Sequence, residues 1–172
     1  MYQGDNYSLM ADYNAWVNAN LYEVAAGLPD EARKRDLGAF FKSLHRTLDH
    51  ILLVDLMFLA RFAGKPLPAT GLDEVRHDDF GDLHAEREAT DARILDWIAD
   101  LDRGWLAEAL TFTSMIDGKS RTLPRWAMVT QMFNHQTHHR GQATTLLKQL
   151  GVDPGIVDIP WLPALYEGIE ES

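Results

Sequence analysis

The chain contains 172 residues with 26 acidic and 16 basic side chains, a formal net charge of −10 and no cysteine. Without cysteine, disulfides, thiolate zinc sites and a cysteine nucleophile are excluded, so a metal site has to use nitrogen and oxygen ligands. The acidic balance disfavours nucleic acid as a partner, because a negative surface repels polyanions. We expect one domain over residues 1–172, since a chain of this length can bury a sizeable core by itself.

The sequence also argues against a membrane protein and against secretion. Its longest apolar stretches lie on either side of Asp55 and fall well short of the roughly 20 residues that cross a bilayer. No lysine or arginine precedes Arg33, so the N-terminal segment lacks the basic region of a secretion signal. We therefore expect a cytoplasmic protein that does not bind a membrane.

The first two apolar segments are predicted to be long helices. In the first, large side chains recur at steps of three and four residues, which is typical of an amphipathic helix, and Gly27 and Pro29 end it. The second segment, residues 37–64, is apolar on more than one face and includes Phe40, which predicts a central, buried helix that stops near Gly64. The repeating positions of the first helix are Met10, Tyr13, Val17, Leu21 and Val24.

Residues 65–80 form a polar connection with two prolines and several acids. It is longer than most loops inside a compact domain, so we expect it to be either functional or mobile. A third helix is predicted within residues 82–104, where Gly104 is the expected stop. Its apolar stripe consists of Leu83, Ile94, Leu95, Ile98 and Leu101.

A β-hairpin and a fourth helix complete the predicted fold. Asp117-Gly118 is a two-residue hairpin signal between residues 111–113 and 120–122. Pro124 suits the first turn of a helix that runs to Leu150, with Gly151 as its C-terminal cap. The tail, residues 153–168, is rich in turns and has room for one short helix. Four long helices predict an all-α, up-down four-helix bundle with a small β-hairpin before the last long helix.

Three of the seven histidines lie within five residues of the fourth helix. His135 and His139 are four residues apart, so they share one helix face with their Cβ atoms roughly 5 to 6 Å apart, which allows both rings to face one metal ion. His138 is also within reach of His135, at a spacing of three residues, and spacing leaves both pairs open. Histidines at this spacing also occur by chance on a solvated helix face.

His50 is the best-placed third ligand. It lies in the middle of the buried second helix, where an imidazole needs a hydrogen bond or a metal. Taken alone, His50 is more simply interpreted as a core histidine that is hydrogen-bonded to a neighbour. Together with a histidine pair on another helix, however, His50 can form one metal site between facing helices of a bundle. His45 lies about 140° around the helix from His50, so we expect it to point outward or to form a hydrogen bond. His77 and His84 are interpreted as surface residues.

The neighbours of the histidine pair carry weaker signals. Gln136 stands where the zinc protease pattern H-E-x-x-H has its glutamate base, which disfavours a metalloprotease. Gln142 lies on the same side of the helix as the pair. It is predicted to orient the ring of a metal-binding histidine without contacting the metal itself. Arg140 is predicted to pair with a buried acid such as Asp55.

Five stretches of the chain form a recognisable set: YNAW at 13–16, TLDHILLVD at 47–55, TSMIDGKSRTLPRW at 113–126, NHQTHHRGQ at 134–142 and GVDPGIVDIPW at 151–161. They span almost the whole chain, and the second and fourth are the most specific. Through them the chain resembles the DinB-like superfamily, the damage-inducible and YfiT-type group of bacterial four-helix proteins. The resemblance implies the same helical bundle.

The resemblance also implies a metal site and a type of chemistry. In that superfamily one histidine of the second long helix and an H-x-x-x-H pair of the last bind a divalent metal. By position the ligands are His50, His135 and His139, so the resemblance selects His139 over His138. Members are commonly homodimers, and those with an assigned activity use a low-molecular-weight thiol in transferase or isomerase reactions.

Three neutral imidazoles suit Zn²⁺ or Ni²⁺ and leave a coordination position open. Because a metal ion lowers the pKa of a thiol or of water bound to it, such a site supplies a nucleophile at neutral pH. We therefore predict a metal-dependent enzyme that activates a small thiol for transfer to an electrophile. The alternatives are a non-catalytic metal-binding stress or interaction protein, since no second acid-base group is identifiable beside the histidines, and a metal-dependent hydrolase.

Overall fold

Residues 6–166 are described by a computed structural model. Residues 1–5 and 167–172 lie outside the described part, so the ends of the predicted domain and the end of the predicted tail, Glu167 and Gly168, are not described. The elements are α1 (Asn6–Ala26), α2 (Asp30–Lys34), α3 (Leu44–Phe62), α4 (Phe80–Ala99), α5 (Arg103–Ala107), β1 (Ala109–Thr113), β2 (Ser120–Pro124) and α6 (Arg125–Gln149), followed by two 3-10 turns (Ile159–Trp161 and Pro163–Leu165).

The four long helices α1, α3, α4 and α6 form a bundle in which α1 and α3 each pack against both α4 and α6. The helix α3 is central, because every residue from Thr47 to Ala60 is buried. The predicted all-α bundle and the hairpin before the last long helix are confirmed. In the described residues 6–166, the structure contains no helix long and apolar enough to span a membrane.

The start of the second long helix differs from the prediction. The helix begins at Leu44, because the Ser43 hydroxyl accepts a hydrogen bond from the backbone N–H of Arg46 and caps it. Before Ser43 the chain makes a turn in which Lys42 has a φ of 70°, a left-handed conformation that no helix interior contains. The prediction that Phe40 lies on the apolar face of this helix is therefore wrong, and its side chain is 83% exposed.

Two other predicted boundaries are corrected. The third long helix ends at Ala99 rather than at Gly104, because the Asp102 carboxylate accepts hydrogen bonds from the backbone of Gly104 and Trp105 and starts the separate helix α5. The hairpin loop is longer than two residues: residues 114–119 connect the strands, and Gly118 has a φ of 68° within it. The C-terminal end of α6 agrees with the prediction, since Gly151 follows it with a φ of 79°.

The connection from α3 to α4 is anchored on α3. The carboxylate of Asp49, which is fully buried, accepts the backbone N–H groups of Arg76 and His77, each at 3.0 Å. The His45 Nε2 donates to the carbonyl of His77 at 2.8 Å. These contacts and the hydrogen bond between Leu72 and His50 hold the connection against α3.

A network of buried polar side chains joins the four long helices. At its centre is Arg87 of α4, which contacts Asp55 of α3 at 2.6 Å and Asp91 at 2.8 Å. Asp55 also accepts a hydrogen bond from Gln136 of α6 at 2.7 Å, and Asp91 accepts from Asn18 of α1 at 3.0 Å. Such a network rigidifies a core when every member is paired. It fixes α3 and α6 side by side, directly behind the histidines.

Candidate metal centre

The packing of α3 against α6 brings three imidazole rings together. The Nε2 atoms of His50 and His135 are 3.2 Å apart. The ring centroid of His139 lies 4.7 Å from that of His50 and 4.3 Å from that of His135. One ligand nitrogen from each ring lies within 4.8 Å of the others. The structure therefore brings together the three histidines that the resemblance implies as metal ligands.

The spacing of these nitrogens fits a divalent cation. Imidazole nitrogens bind Zn²⁺ at about 2.0–2.1 Å, so two of them at a tetrahedral angle are roughly 3.3 Å apart. The Nε2 atoms of His50 and His135 are 3.2 Å apart. The Nδ1 of His135 is buried and has no hydrogen-bond partner among residues 6–166, so no described protein group fixes the tautomer of this ring. The donor set and its spacing suit Zn²⁺, Ni²⁺ or a similar ion.

Hydrogen bonds fix which nitrogen of two rings carries the proton. The Nδ1 of His50 lies 2.9 Å from the carbonyl oxygen of Leu72, which can only accept. The Nδ1 of His139 lies 2.8 Å from the Oε1 of Gln142, the contact expected of a residue that orients a ligand ring. In the neutral rings both Nε2 atoms therefore carry a free lone pair, as metal ligation requires.

Burial keeps the three rings neutral. Burial is the main cause, and together with the neighbouring imidazoles it lowers the pKa of His50 to about 4 and that of His135 to about 3. The pKa of His139 is lowered as well, chiefly by burial. At neutral pH no proton competes with a cation for the lone pairs, which favours metal binding.

These pKa values predict how the stability of the metal-free protein depends on pH. The pKa of His50 lies near 4 in the folded chain and near 6.5 when unfolded, so the unfolded chain takes up the proton first. The stabilisation is therefore present above pH 6.5 and is lost as the pH falls towards 4, by on the order of 3 kcal/mol. Urea unfolding of the metal-free protein between pH 7 and 4.5 measures this loss.

The variant His50→Gln is expected to show a flatter dependence, because it removes one of the buried imidazoles that titrate. His138→Gln is the matched control, since His138 is exposed and is expected to keep the wild-type slope. Equal slopes for His50→Gln and the wild type would contradict the assignment of the effect to His50.

The three rings open onto a large cavity of about 1000 Å³. Its walls come from α3, from the connection that follows α3, from the hairpin and from α6. Most lining side chains are apolar, including Met57, Phe58, Met115, Ile116 and Met128. On one side Phe41 stacks on His50 with its ring centroid 3.9 Å away. The centre therefore combines free imidazole lone pairs with space for an organic ligand.

The other four histidines lie outside this cluster. His138 is exposed, and its Nε2 accepts from the amide of Gln142 at 3.3 Å. His45 is buried and hydrogen-bonded, so the second of its two predicted alternatives holds. The His77 Nε2 contacts Glu86, and His84 packs its ring against Tyr22 at 5.2 Å.

Two neighbours of the histidine pair, Arg140 and Gln136, are buried. The prediction that Arg140 pairs with Asp55 is wrong: Arg87 occupies Asp55, and Arg140 donates to the side chain of Asn14. Gln136 is fully buried against Asp55 and does not line the cavity. The position that holds the glutamate base in zinc proteases thus points away from the candidate centre.

Sequence reasoning missed three groups around the centre. The carbonyl of Leu72 has no sequence signature, because every residue carries the same backbone group. Phe41 could have been placed by recognising Ser43 as a helix cap, which puts the two phenylalanines before it in a turn. Arg61 follows His50 by eleven residues, a spacing of about three helical turns that places both on one face.

The fold and the site define a class: four-helix bundles with three imidazoles clustered between two facing helices. The sequence profile of the DinB family matches residues 1–171. The chain therefore belongs to the DinB family, and both this membership and the three-histidine cluster are compatible with metal binding.

Two relatives agree with this assignment. The chain is 25% identical to Protein DinB from Bacillus subtilis (strain 168) over 153 residues, which cover 81% of this chain and 83% of the relative. The crystal structure of a DinB-like protein from Bacillus cereus ATCC 10987 superimposes with a TM-score of 0.63 at 20% identity, covering 82% of this chain and 91% of that one. At this level of identity, the structural similarity shows that the two proteins share a fold.

Proposed function

We propose that His50, His135 and His139 bind one divalent metal ion, Zn²⁺ or Ni²⁺, and that the protein uses this centre to activate a small thiol for transfer to an electrophile. The observation that carries the proposal is the convergence of three neutral imidazoles on a cavity of about 1000 Å³. Ligands confined to one side of an ion leave positions open towards the cavity. An ion held there would supply Lewis acidity, which lowers the pKa of a thiol.

The chain's own residues prepare the centre for this role. Leu72 and Gln142 hold the rings of His50 and His139 with their Nε2 atoms unprotonated. Phe41 covers one face of the His50 ring and excludes water from it. Hydrogen-bond partners behind metal-binding histidines typically contribute 10- to 100-fold to metal affinity. We assign that role to Gln142.

The proposed reaction is a substitution at an electrophilic carbon. The thiol loses its proton to solvent, its sulfur forms a bond to the carbon, and the bond from that carbon to a leaving group breaks with its electron pair. The apolar walls provide room for the acceptor beside the thiol. A metalloprotease is disfavoured, because Gln136, at the position of the protease base, is bound to Asp55 outside the cavity.

The test begins with elemental analysis of protein purified without a polyhistidine tag, repeated in the presence of candidate thiols. Nickel-loaded protein is then titrated with thiols and followed by the thiolate-to-metal charge-transfer absorption. A final assay adds an electrophilic acceptor and measures thioether formation. Absence of bound metal overturns the proposal. Metal without thiol binding or turnover favours instead a non-catalytic metal-binding protein.

The homodimer, the cytoplasmic location and the single-domain organisation expected from the sequence stay predictions. Sedimentation of the full chain tests the first of them.

A further inference from the structure

We propose that Arg61 binds the carboxylate of an organic acid in the cavity, which makes carboxylates with an apolar body the ligand class of the three-histidine centre. The inference rests on the proposed function. Arg61 lines the same cavity as His50, His135 and His139. It lies eleven residues after His50 on α3, so both side chains lie on one helix face, roughly 16 Å apart along the axis.

Arg61 has no acidic partner in the described part of the chain. It is half-buried, and the contact that the structure gives its side chain is with the ring of Phe112, whose centroid lies 5.2 Å from the guanidinium carbon. Each other buried or half-buried arginine within residues 6–166 bonds to an acid or an amide side chain. These are Arg33, Arg46, Arg87, Arg125 and Arg140.

Partial burial of an arginine without a counter-charge carries a desolvation cost, and it lowers the pKa of Arg61. An anionic ligand would remove that cost. The position of Phe112 is compatible with this role, because an aromatic ring beneath a guanidinium leaves the N–H donors at its edge available. The strand β1, which carries Phe112, thus holds the cation at the cavity wall.

The charge and shape of the Arg61 side chain favour one carboxylate. Apart from the histidines, the charged side chains that the structure places on its wall are Arg61 and the exposed Asp73. Roughly 16 Å along α3 from His50, Arg61 is the only cationic side chain on this wall among residues 6–166, and one carboxylate matches its charge and its fork of N–H donors. Met57, Phe58 and Met115 then contact the apolar body of the acid.

The carboxylate can belong to the thiol or to the electrophile, and two pairs of probes separate these sources. Mercaptohexanoate and mercaptohexanol represent the thiol, and phenylhexanoate and phenylhexanol represent the acceptor. Each pair differs in the charged group alone. Calorimetry with zinc-loaded, full-length protein measures the affinity ratio of acid to alcohol in the wild type, in Arg61→Gln and in Arg61→Lys.

We expect the acid of at least one pair to bind about tenfold or more tightly than its alcohol to the wild type. This preference should disappear in Arg61→Gln and persist in part in Arg61→Lys, which keeps the charge but not the fork. Arg93→Gln is the control, since it removes an exposed arginine that lines a different pocket and should leave the preference unchanged.

The inference is overturned if no acid is preferred in the wild type, if Arg61→Gln retains the preference, or if Arg93→Gln loses it equally. The proposed function fails separately, when neither thiol binds. Arg61-dependent binding of phenylhexanoate in that case would leave the carboxylate site standing without the thiol chemistry.

Discussion

Replacing His139 with alanine is expected to abolish stoichiometric binding of divalent metal, whereas replacing His138 with alanine largely preserves it. The ring of His139 lies within 4.7 Å of both His50 and His135, centroid to centroid, while His138 is exposed and lies outside the cluster of potential ligands. Loss of one ligand of three leaves two imidazoles, which hold a borderline ion far more weakly. Elemental analysis of tag-free protein after dialysis measures the metal content.

The two variants control for each other, because they remove the same side chain from adjacent positions on α6. Circular dichroism should show the same helix content for both and for the wild type. Equal metal loss in the two variants would refute the choice of His139. Retention of metal by His139→Ala would mean that the ion is held elsewhere.

The helices whose apolar side chains follow a regular spacing could be predicted from the sequence. The apolar repeat of α1 and the all-round apolar character of α3 result from burial of a helix on one or several faces, and each such face leaves a regular pattern. The pair His135 and His139 follows the same rule, since residues four apart on a helix share a face. The resemblance to a family then separated His139 from His138, which geometry alone left open.

Features that depend on tertiary contacts could not be predicted. Phe40 was predicted to lie on a helical apolar face, but the cap at Ser43 and the left-handed Lys42 place it, together with Phe41, in a turn. The partner of Asp55 was misassigned because Arg87 and Arg140 lie on different helices, and sequence spacing contains no information about which of two distant arginines is nearer. The carbonyl of Leu72 meets His50 through the path of a long connection.

Replacing Arg87 with methionine is expected to destabilise the protein by about 3–5 kcal/mol, because it leaves the buried carboxylates of Asp55 and Asp91 without their cation. Burial already raises the pKa of Asp55 to about 6, and Arg87 opposes that rise. Without Arg87 the folded pKa moves further above the unfolded value of 3.8. A carboxyl group whose pKa is raised in the folded state stabilises the protein below its unfolded pKa, and this stabilisation is lost as the pH rises through its folded pKa. The free energy of unfolding of the variant is therefore expected to fall more at pH 8 than at pH 5.

Urea unfolding followed by circular dichroism at pH 5 and pH 8 measures both effects. Arg121→Met is the matched control: Arg121 also forms an ion pair with an aspartate, Asp117, at 2.7 Å, but on the surface of the hairpin. Exposed pairs are screened by water, so this variant should unfold at nearly the wild-type urea concentration at both pH values. A loss for Arg87→Met no greater than that of the control, or equal at both pH values, would show that the buried network does not hold the four helices together. A large, pH-dependent loss would show instead that the polar centre of the bundle fixes α3 against α6, and with them the positions of His50 and His135.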